Sequence, residues 1–194
     1  MNDLQALRLQ IKAQRRNLSI SDQTEAALHF CQNLIQSKIL DSTHHIGVYL
    51  AHAGELNLQL SMTQLWQQNK TLYLPCIHST QLVFKKYTPT STLQANRFGI
   101  LEIIEGESIA AEDLDAALVP LLAFDHAGHR IGMGQGFYDH TFAFRKQSCN
   151  TKPLLIGCGY PFQEVDSLTP HAHDIDMDVI ITPSTLLFKK KGFL

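Results

Sequence analysis

The stretch RIGMGQGFYD at residues 130–139 combines bare backbone with charged side chains. Glycines alternate with other residues along it, at Gly132, Gly134 and Gly136. Backbone N–H groups that no side chain shields can converge on phosphate oxygens, and Arg130 can add a charge-assisted contact. Asp139 supplies the oxygen ligands that Mg²⁺ prefers beside bound phosphates. The spacing therefore predicts a phosphate-binding loop with an adjoining magnesium carboxylate.

This glycine loop matches neither of the two common nucleotide-binding motifs. No Gly-Lys-Ser/Thr follows, as in a Walker A sequence, and GxGxG differs from the dinucleotide spacing GxGxxG. An apolar stretch at 116–124 precedes the loop and a helical pattern near 138–144 follows it. A helix N-terminus adds partial positive charge, so this context suits an anion. The alternative is a glycine-rich turn before an ordinary helix-start aspartate.

Two further carboxylates are candidates on position alone. Glu55 follows Gly54 just beyond an apolar stretch, where side chains face the ligand crevice of an α/β sheet, and it is suited to binding a polar heterocycle. The alternative interpretation is that Glu55 is an ordinary carboxylate in a loop or at the start of a helix. Asp174 lies in TPHAHDIDMDVIITP and is a candidate for a direct or indirect magnesium contact. His171 and His173 fit a solvated loop better than a ligand set, because Mg²⁺ prefers oxygen donors.

Aromatic and basic residues give weaker signals. A flat aromatic ligand could be enclosed by the side chains of Phe98, Phe137 and Tyr138. The commoner explanation for such aromatic residues is that they are buried in the core. Arg8 on the first amphipathic segment is suited to reaching a phosphate. The alternative is that it belongs to a solvated basic face.

The elements that must position these residues follow from hydrophobic periodicity. Helices are predicted over 4–16, through Ala27 to Ile35 and over 58–68. Ser19 and Ser21 are candidate caps for the second of these helices, and Asp22 with Glu25 has capping-box spacing. Strands are predicted at 45–51, 71–77, 82–87, 116–124, 154–160 and 177–183. Strands that alternate with helices, several of them apolar throughout, predict an α/β fold. We expect a single three-layer domain over 1–194, with a mainly parallel sheet and helices on both faces.

Composition excludes several classes of function. The chain has 194 residues, with 16 Lys and Arg against 18 Asp and Glu. This balance predicts no nucleic-acid or membrane partner and favours small-molecule substrates. Four scattered cysteines, Cys31, Cys76, Cys149 and Cys158, suggest free thiols in a reducing compartment. The charged start lacks the apolar core of a signal peptide, so a cytoplasmic location is expected, with a monomer as the expected state.

The sequence resembles the 5-formyltetrahydrofolate cyclo-ligase family, also called methenyltetrahydrofolate synthetase. The long stretch VPLLAFDHAGHRIGMGQGFYD at 119–139 is the specific part of the resemblance. Shorter pieces occur in the right order at 7–19, Glu55, 72–75, 97–102, Gln163 and 173–183. The resemblance covers almost the whole chain.

The resemblance implies an ATP- and magnesium-dependent cyclisation of 5-formyltetrahydrofolate to 5,10-methenyltetrahydrofolate. It also implies a fold similar to the sugar-phosphate isomerase and CoA-transferase group. The ATP contacts it implies are Arg8, Arg130, Ile131, Gly132, Met133, Gly134, Gln135, Gly136, Phe137 and Tyr138. The folate contacts are Leu50, Glu55, Phe98, Met133, Gly134, Gln135, Gly136 and Phe137. Asp139 and Asp174 are the implied magnesium ligands, and Arg130 and Tyr138 the expected catalytic residues.

Three positions depart from the family pattern. Leu4 stands where a lysine is often found, Met133 replaces a basic or aromatic residue, and Phe137 replaces the first of two tyrosines. Lys12, Arg15 and a residue far along the chain are the candidates to replace the lysine. Two other functions stay open at this point: another ATP-dependent enzyme on the same scaffold, and a folate- or nucleotide-binding protein without catalysis.

Overall fold

A computed structural model describes residues 3–146 and 152–189 of the chain. Cys149 lies outside these residues, whereas Cys31, Cys76 and Cys158 are free and buried, as expected. No helix in the described ranges is both long and apolar enough to cross a membrane.

Two helices open the structure, α1 (Asp3–Asn17) and α2 (Ile20–Gln36). The expected capping box of Asp22 and Glu25 is wrong by one turn. Of the two predicted caps, Ser19 is confirmed: its hydroxyl accepts from the Asp22 backbone N–H at 3.1 Å, and the Asp22 carboxylate accepts from the Ser19 backbone N–H at 3.2 Å. A serine followed three residues later by a carboxylate satisfies two otherwise unpaired N–H groups of the first turn.

In the part of the chain that the structure describes, the remaining elements are two helices, three 3₁₀ turns and twelve strands. The helices are α3 (Gln59–Gln67) and α4 (Phe137–Thr141), with 3₁₀ turns at Ala111–Asp113, Ala143–Lys146 and Pro161–Gln163. The first six strands are β1 (His45–Gly47), β2 (Thr71–His78), β3 (Gln81–Tyr87), β4 (Leu93–Ala95), β5 (Leu101–Ile103) and β6 (Ser108–Ile109). The others are β7 (Ala116–Pro120), β8 (Ala123–Phe124), β9 (Arg130–Ile131), β10 (Leu154–Cys158), β11 (Val179–Ile181) and β12 (Leu186–Phe188).

Within the described residues, eight strands form one sheet in the order β12-β11-β10-β7-β1-β2-β3-β6. The five strands from β11 to β2 are parallel to one another. Antiparallel partners are added at both ends, β12 on one side and β3 with β6 on the other. The predicted α/β architecture with a mainly parallel sheet is therefore confirmed.

Successive residues of the central strands pack on opposite faces of the sheet. On β7, Leu118 belongs to a core under α2 and α3, whereas Val119 belongs to a second core that includes Phe142. Both residues are at most 1% exposed. The second face is covered by the short α4 and the 3₁₀ turns rather than by long helices. Burial on both faces explains why these strands are apolar throughout.

Four predicted strands end earlier than expected, and two of them, those predicted at 116–124 and 45–51, end beside the site. The apolar run at 116–124 divides at Pro120, because proline has no N–H to continue the ladder. The run at 45–51 leaves the sheet after Gly47, apart from one bond from the Val48 N–H to the Tyr73 carbonyl at 2.8 Å. The chain beyond Gly47 is thus free to form a loop at the sheet edge.

Candidate active site

A cavity of about 500 Å³ lies at the carboxyl ends of β1 and β7. Leu50 follows β1 and Leu121 follows β7, and both line it. The glycine loop forms another wall, and residues 168–171 with His173 and Asp174 form a third. Ligands of open α/β sheets bind in this position, outside the carboxyl ends of the strands.

The glycine loop begins on a short hairpin that sequence reasoning did not foresee. β8 pairs antiparallel with β9, which places Arg130 opposite Phe124. Gly134 has φ +103° and Gly136 has φ +68°, values that side-chain-bearing residues rarely adopt. Gly132 has an ordinary φ, but a Cβ there would lie 3.2 Å from Nη1 of Arg130. The three glycines are thus required for two different reasons.

Arg130 and Asp139 form an ion pair at the base of the loop. Nη2 of Arg130 donates to Oδ1 of Asp139 at 2.7 Å, and the two side chains are 4% and 15% exposed. The Arg130 guanidinium also lies over the Tyr138 ring, 5.8 Å from its centroid. Its Nε is buried and has no hydrogen-bond partner among the described residues. Arg130 is therefore held in place with donor capacity left over.

Asp139 is linked to the segment that carries Asp174. Oδ1 of Asp139 also accepts from the backbone N–H of Ile175 at 3.0 Å. Asp174 accepts from the backbone N–H of His171 at 2.8 Å, and its other oxygen lies 3.5 Å from Nε2 of His173. Both aspartates line the cavity. The described residues hold no cluster of three or more His, Cys, Asp or Glu side chains with metal-site geometry.

The helix after the loop is shorter than the predicted 138–144. α4 ends at Thr141, and a 3₁₀ turn follows over Ala143–Lys146. Five residues sum few peptide dipoles, so the expected contribution of the helix N-terminus is small. The backbone N–H groups of the glycine loop and Arg130 are left as the main donors on this wall.

Glu55 is placed on the cavity wall by a tight turn. Ala53 and Gly54 have φ +49° and +77°, as the predicted turn requires. The Glu55 carboxylate then accepts from the backbone N–H of His52 at 3.1 Å. Burial raises the pKa of Glu55 above its ordinary value, while the His52 hydrogen bond and the nearby Arg15 act in the opposite direction. The carboxylate is thus poised for a polar ligand at the cavity wall.

Aromatic side chains also line the cavity. Phe98 and Phe137 meet edge to face, with ring centroids 6.1 Å apart. Tyr138 stacks instead on Phe142, at the edge of the second core. Burial, reinforced by Glu55, raises the pKa of Tyr138, so its hydroxyl stays protonated at neutral pH.

The rest of the predicted contact set also lies at the cavity. Its lining includes Ile131, Met133, Gln135 and Gly136 with the other loop residues. Leu4 lines it too, and no described lining residue is a lysine. Lys12 and Arg15, two of the candidates to replace the lysine expected at Leu4, do not belong to the lining.

The alternative that Arg8 belongs to a solvated basic face does not fit the structure, since Arg8 lines the cavity. Arg8 donates from Nε to the Gly132 carbonyl at 3.3 Å, and Arg15 is 2% exposed. Both lie on the stripe of Leu4 and Ile11, with successive spacings of four, three and four residues. That heptad-like spacing was the signal for inward-facing arginines.

The chain is similar over its length to known proteins of one family. A sequence profile of the 5-formyltetrahydrofolate cyclo-ligase family matches residues 1–183. The chain belongs to this family. The 5-formyltetrahydrofolate cyclo-ligase of Haemophilus influenzae is 32% identical over 187 residues, covering 91% of this chain and 96% of the relative. That of Escherichia coli K12 is 34% identical over 179 residues, covering 90% and 97%.

A solved structure agrees with the family assignment. The NMR structure of Aquifex aeolicus 5,10-methenyltetrahydrofolate synthetase superposes with a TM-score of 0.83 at 29% identity. The similarity covers 98% of this chain and 94% of the Aquifex chain. Members of the cyclo-ligase family thus share both the sequence pattern and the fold described above.

Proposed function

We propose that this chain catalyses the ATP- and magnesium-dependent conversion of 5-formyltetrahydrofolate to 5,10-methenyltetrahydrofolate, with release of ADP and phosphate. The main observation behind the proposal is that a single cavity is lined by two kinds of surface. Arg130 and the bare backbone of the glycine loop suit phosphate, and Glu55 with Phe98 suits a polar aromatic ring. The reaction of the cyclo-ligase family has ATP and a folate as substrates, so it needs both kinds of surface.

The reaction needs activation of a poor leaving group. In the first step the formyl oxygen attacks the γ-phosphorus of ATP and ADP leaves. In the second step N10 of the folate attacks the formyl carbon and loses its proton to water, and the bond from that carbon to the phosphorylated oxygen breaks. Phosphate is released and the ring is closed. The first step depends on placing the formyl oxygen in line with the γ-phosphorus, and the second on holding N10 beside the formyl carbon; neither requires an enzyme nucleophile.

The glycine loop is suited to stabilising the transferring phosphoryl group. Negative charge on that group is stabilised by preorganised donors that do not have to reorient. Arg130 is preorganised because Asp139 holds it at 2.7 Å and its side chain is 4% exposed. The N–H groups of Gly132, Gly134 and Gly136 carry no side chain that would block a phosphate oxygen. Arg8, bonded to the Gly132 carbonyl, adds a second cation at this wall.

The carboxylates of Asp139 and Asp174 fit a magnesium ion. Mg²⁺ commonly binds one or two protein carboxylates and completes its shell with phosphate oxygens and water, so a three-residue protein cluster is not required. The hydrogen bond from Ile175 ties Asp139 to the neighbour of Asp174 in the chain. When bound, the ion would offset the negative charge of the phosphates.

The part of the cavity lining that contains Glu55 is suited to orienting the folate. Glu55 can accept hydrogen bonds from the N–H groups of a pterin, and Leu50, Phe98 and Phe137 offer apolar surface to its rings. Phe98 is 38% exposed and Met133 is 42% exposed. Apolar surface that is open at a cavity mouth is typical of a ligand wall.

The first experiment mixes the purified chain with 5-formyltetrahydrofolate, ATP and Mg²⁺ and follows the near-ultraviolet absorbance of the methenyl product. Reactions without ATP and without metal are the controls. Arg8→Met is compared with Lys86→Met, since Lys86 forms an exposed ion pair with Glu107 outside the cavity lining. We expect product that requires ATP and metal, and a raised KM for ATP in Arg8→Met alone. ATP binding without product would refute the cyclo-ligase activity.

We also propose that residues 1–194 act as one cyclo-ligase domain, as a cytoplasmic monomer without nucleic-acid or membrane partners. The near-neutral charge of −2 supports the absence of such partners. Sedimentation of the purified chain tests the oligomeric state directly.

A further inference from the structure

His129 lines the cavity immediately before Arg130, and the proposed reaction gives it no role. Asp125 directly follows β8 and His129 directly precedes β9. Nδ1 of His129 lies 2.9 Å from Oδ2 of Asp125, and the histidine side chain is 24% exposed. No other hydrogen bond of this ring is found among the described residues. One nitrogen of His129 is therefore held by a carboxylate, and Nε2 is left for a ligand.

The carboxylate of Asp125 is itself fixed by the backbone. The residue is 4% exposed. Its Oδ1 accepts from the N–H groups of Ala127 at 2.9 Å and His129 at 3.1 Å, and its Oδ2 accepts from the N–H of Leu168 at 2.9 Å. Burial alone would raise the pKa of Asp125, but the hydrogen bonds from Leu168 and His129 lower it overall. Asp125 is thus an ionised acceptor at neutral pH.

The contact with Asp125 decides which nitrogen of His129 carries a proton. An ionised carboxylate only accepts hydrogen bonds, so Nδ1 is the donor. In the neutral ring Nε2 then has a lone pair and no hydrogen, whereas in the imidazolium both nitrogens are donors. Nε2 of His129 can therefore donate to an anion only after the ring has taken up a proton. The charge of Asp125 compensates for that proton.

His129 is connected to both segments to which the phosphates of ATP are assigned. On one side it is followed by Arg130 and the glycine loop. On the other side Asp125 links it to Leu168, the first residue of the cavity wall that continues to Asp174. A ligand bound between these two segments would have Nε2 of His129 beside its phosphates.

Other charged groups on the adjoining walls also act on His129. Arg8 and Arg130 are cations before ATP binds, so they oppose a further positive charge on the ring. The remaining titratable groups are Tyr138, Asp139, His171, His173 and Asp174. The negative charge of a bound triphosphate changes this balance in favour of the protonated ring.

We propose that His129 is a proton-dependent nucleotide contact: its imidazolium, oriented by Asp125, donates from Nε2 to a phosphate oxygen of ATP. This inference rests on the proposed function for the location of ATP. Protein with a neutral ring, ATP and one proton from the solvent combine to give the complex, and the only covalent bond formed is the new N–H bond. Asp125 is a positioning residue, because it acts through His129.

The test compares His129→Asn with a matched control. The amide nitrogen of asparagine can take the place of Nδ1, so His129→Asn keeps a donor for Asp125 while it removes Nε2. His126→Asn is the control, because His126 lies in the same hairpin and is also paired with a carboxylate, its Nε2 lying 2.6 Å from Glu164. His126 does not line the cavity.

Titration calorimetry with ATP and excess Mg²⁺, without folate, measures binding separately from turnover. Heats in buffers of different ionisation enthalpy give the number of protons taken up. Protons taken up by ATP itself are the same for every variant. We expect the wild type to take up part of a proton near neutral pH, and His129→Asn to take up none. At pH 6, His129→Asn should bind ATP about tenfold more weakly than the wild type, the loss typical of one charged hydrogen bond. His126→Asn should match the wild type.

A second readout follows the ring directly. Imidazole ¹⁵N chemical shifts of histidine-labelled protein at pH 8 report protonation, and His129 is assigned by its absence from His129→Asn or His129→Gln. ATP with Mg²⁺ should move the His129 shifts towards the imidazolium values. Unmoved His129 shifts, or equal proton uptake by the wild type and His129→Asn, overturn the inference.

The outcomes also separate this inference from the proposed function. Proton-linked ATP binding without methenyl product refutes the cyclo-ligase activity and leaves the role of His129 intact. Methenyl product without proton uptake does the reverse. A wild type that does not bind ATP overturns both.

Discussion

Replacing Gly132 by alanine tests the glycine loop with a single methyl group. Gly132 has an ordinary φ, so alanine fits its backbone conformation, but the new methyl would lie 3.2 Å from Nη1 of Arg130. Arg130 has little freedom to retreat, because its side chain is 4% exposed and held by Asp139 at 2.7 Å. The methyl must therefore displace the guanidinium or occupy the space beside it.

The size of the effect follows from what Arg130 is proposed to contact. A hydrogen bond to a charged group contributes about 1.5–3 kcal/mol. Losing one such contact to the transferring phosphoryl group lowers kcat/KM for ATP by about 10- to 100-fold. Stability should change by less than about 1 kcal/mol, because alanine also reduces the entropy of the unfolded chain. Gly132→Ala should thus lose activity without losing the fold.

The assay measures kcat and KM for ATP through methenyl absorbance, and the melting temperature by circular dichroism. Gly134→Ala is the comparison, because a Cβ there meets nothing within 4 Å but φ is +103°. Left-handed backbone costs a residue with a side chain about 1–2 kcal/mol, so this variant should lose stability more than Gly132→Ala does. Gly132→Ala with wild-type kcat/KM for ATP would show that Arg130 does not serve the phosphate.

Three further outcomes are expected. Gly134→Val should weaken ATP kinetics, because its larger side chain projects into the space proposed for phosphate; unchanged ATP kinetics would contradict this. Glu55→Ala should raise the KM for folate far more than that for ATP, and equal losses would remove Glu55 from the folate wall. Burial alone would raise the pKa of Asp115, but hydrogen bonds from the His45 and His44 backbone and from Lys152 lower it from 3.8 to about 2. That depressed value contributes about 2 kcal/mol of stability above pH 4, lost as pH falls towards 2. Unfolding by urea across this range should show the loss in wild type and not in Asp115→Asn.

The glycine loop illustrates what the sequence made predictable. Glycine is needed where the backbone adopts a positive φ or where a side chain would not fit. Gly134 and Gly136 have positive φ, and Gly132 leaves room for the guanidinium of Arg130. A local pattern reports such local requirements directly. The parallel core strands were predictable for a similar reason, since burial on both faces leaves uninterrupted apolar runs.

The pairings between distant segments were not predictable in the same way. In the hairpin of β8 and β9 each strand has only two residues, so neither strand has a sequence periodicity that could be detected. The Arg130–Asp139 ion pair and the burial of Arg15 depend on which segments meet in three dimensions. For Arg8 the sequence left a solvated basic face open as an alternative, and its partner at Gly132 decides against that alternative.

Two of the three arginines of α1, Arg8 and Arg15, also have a consequence for the order of folding during synthesis. Arg15 bonds to a carbonyl 106 residues further along the chain, and Arg8 to one 124 residues further. Ribosomes add about 5–20 residues per second, so α1 waits roughly five to twenty seconds before either acceptor has been made. During that interval its inward stripe has neither carbonyl to bind. The contacts of α1 with Gly132 and Leu121 therefore form late, and the cavity is completed only after much of the sheet has been translated.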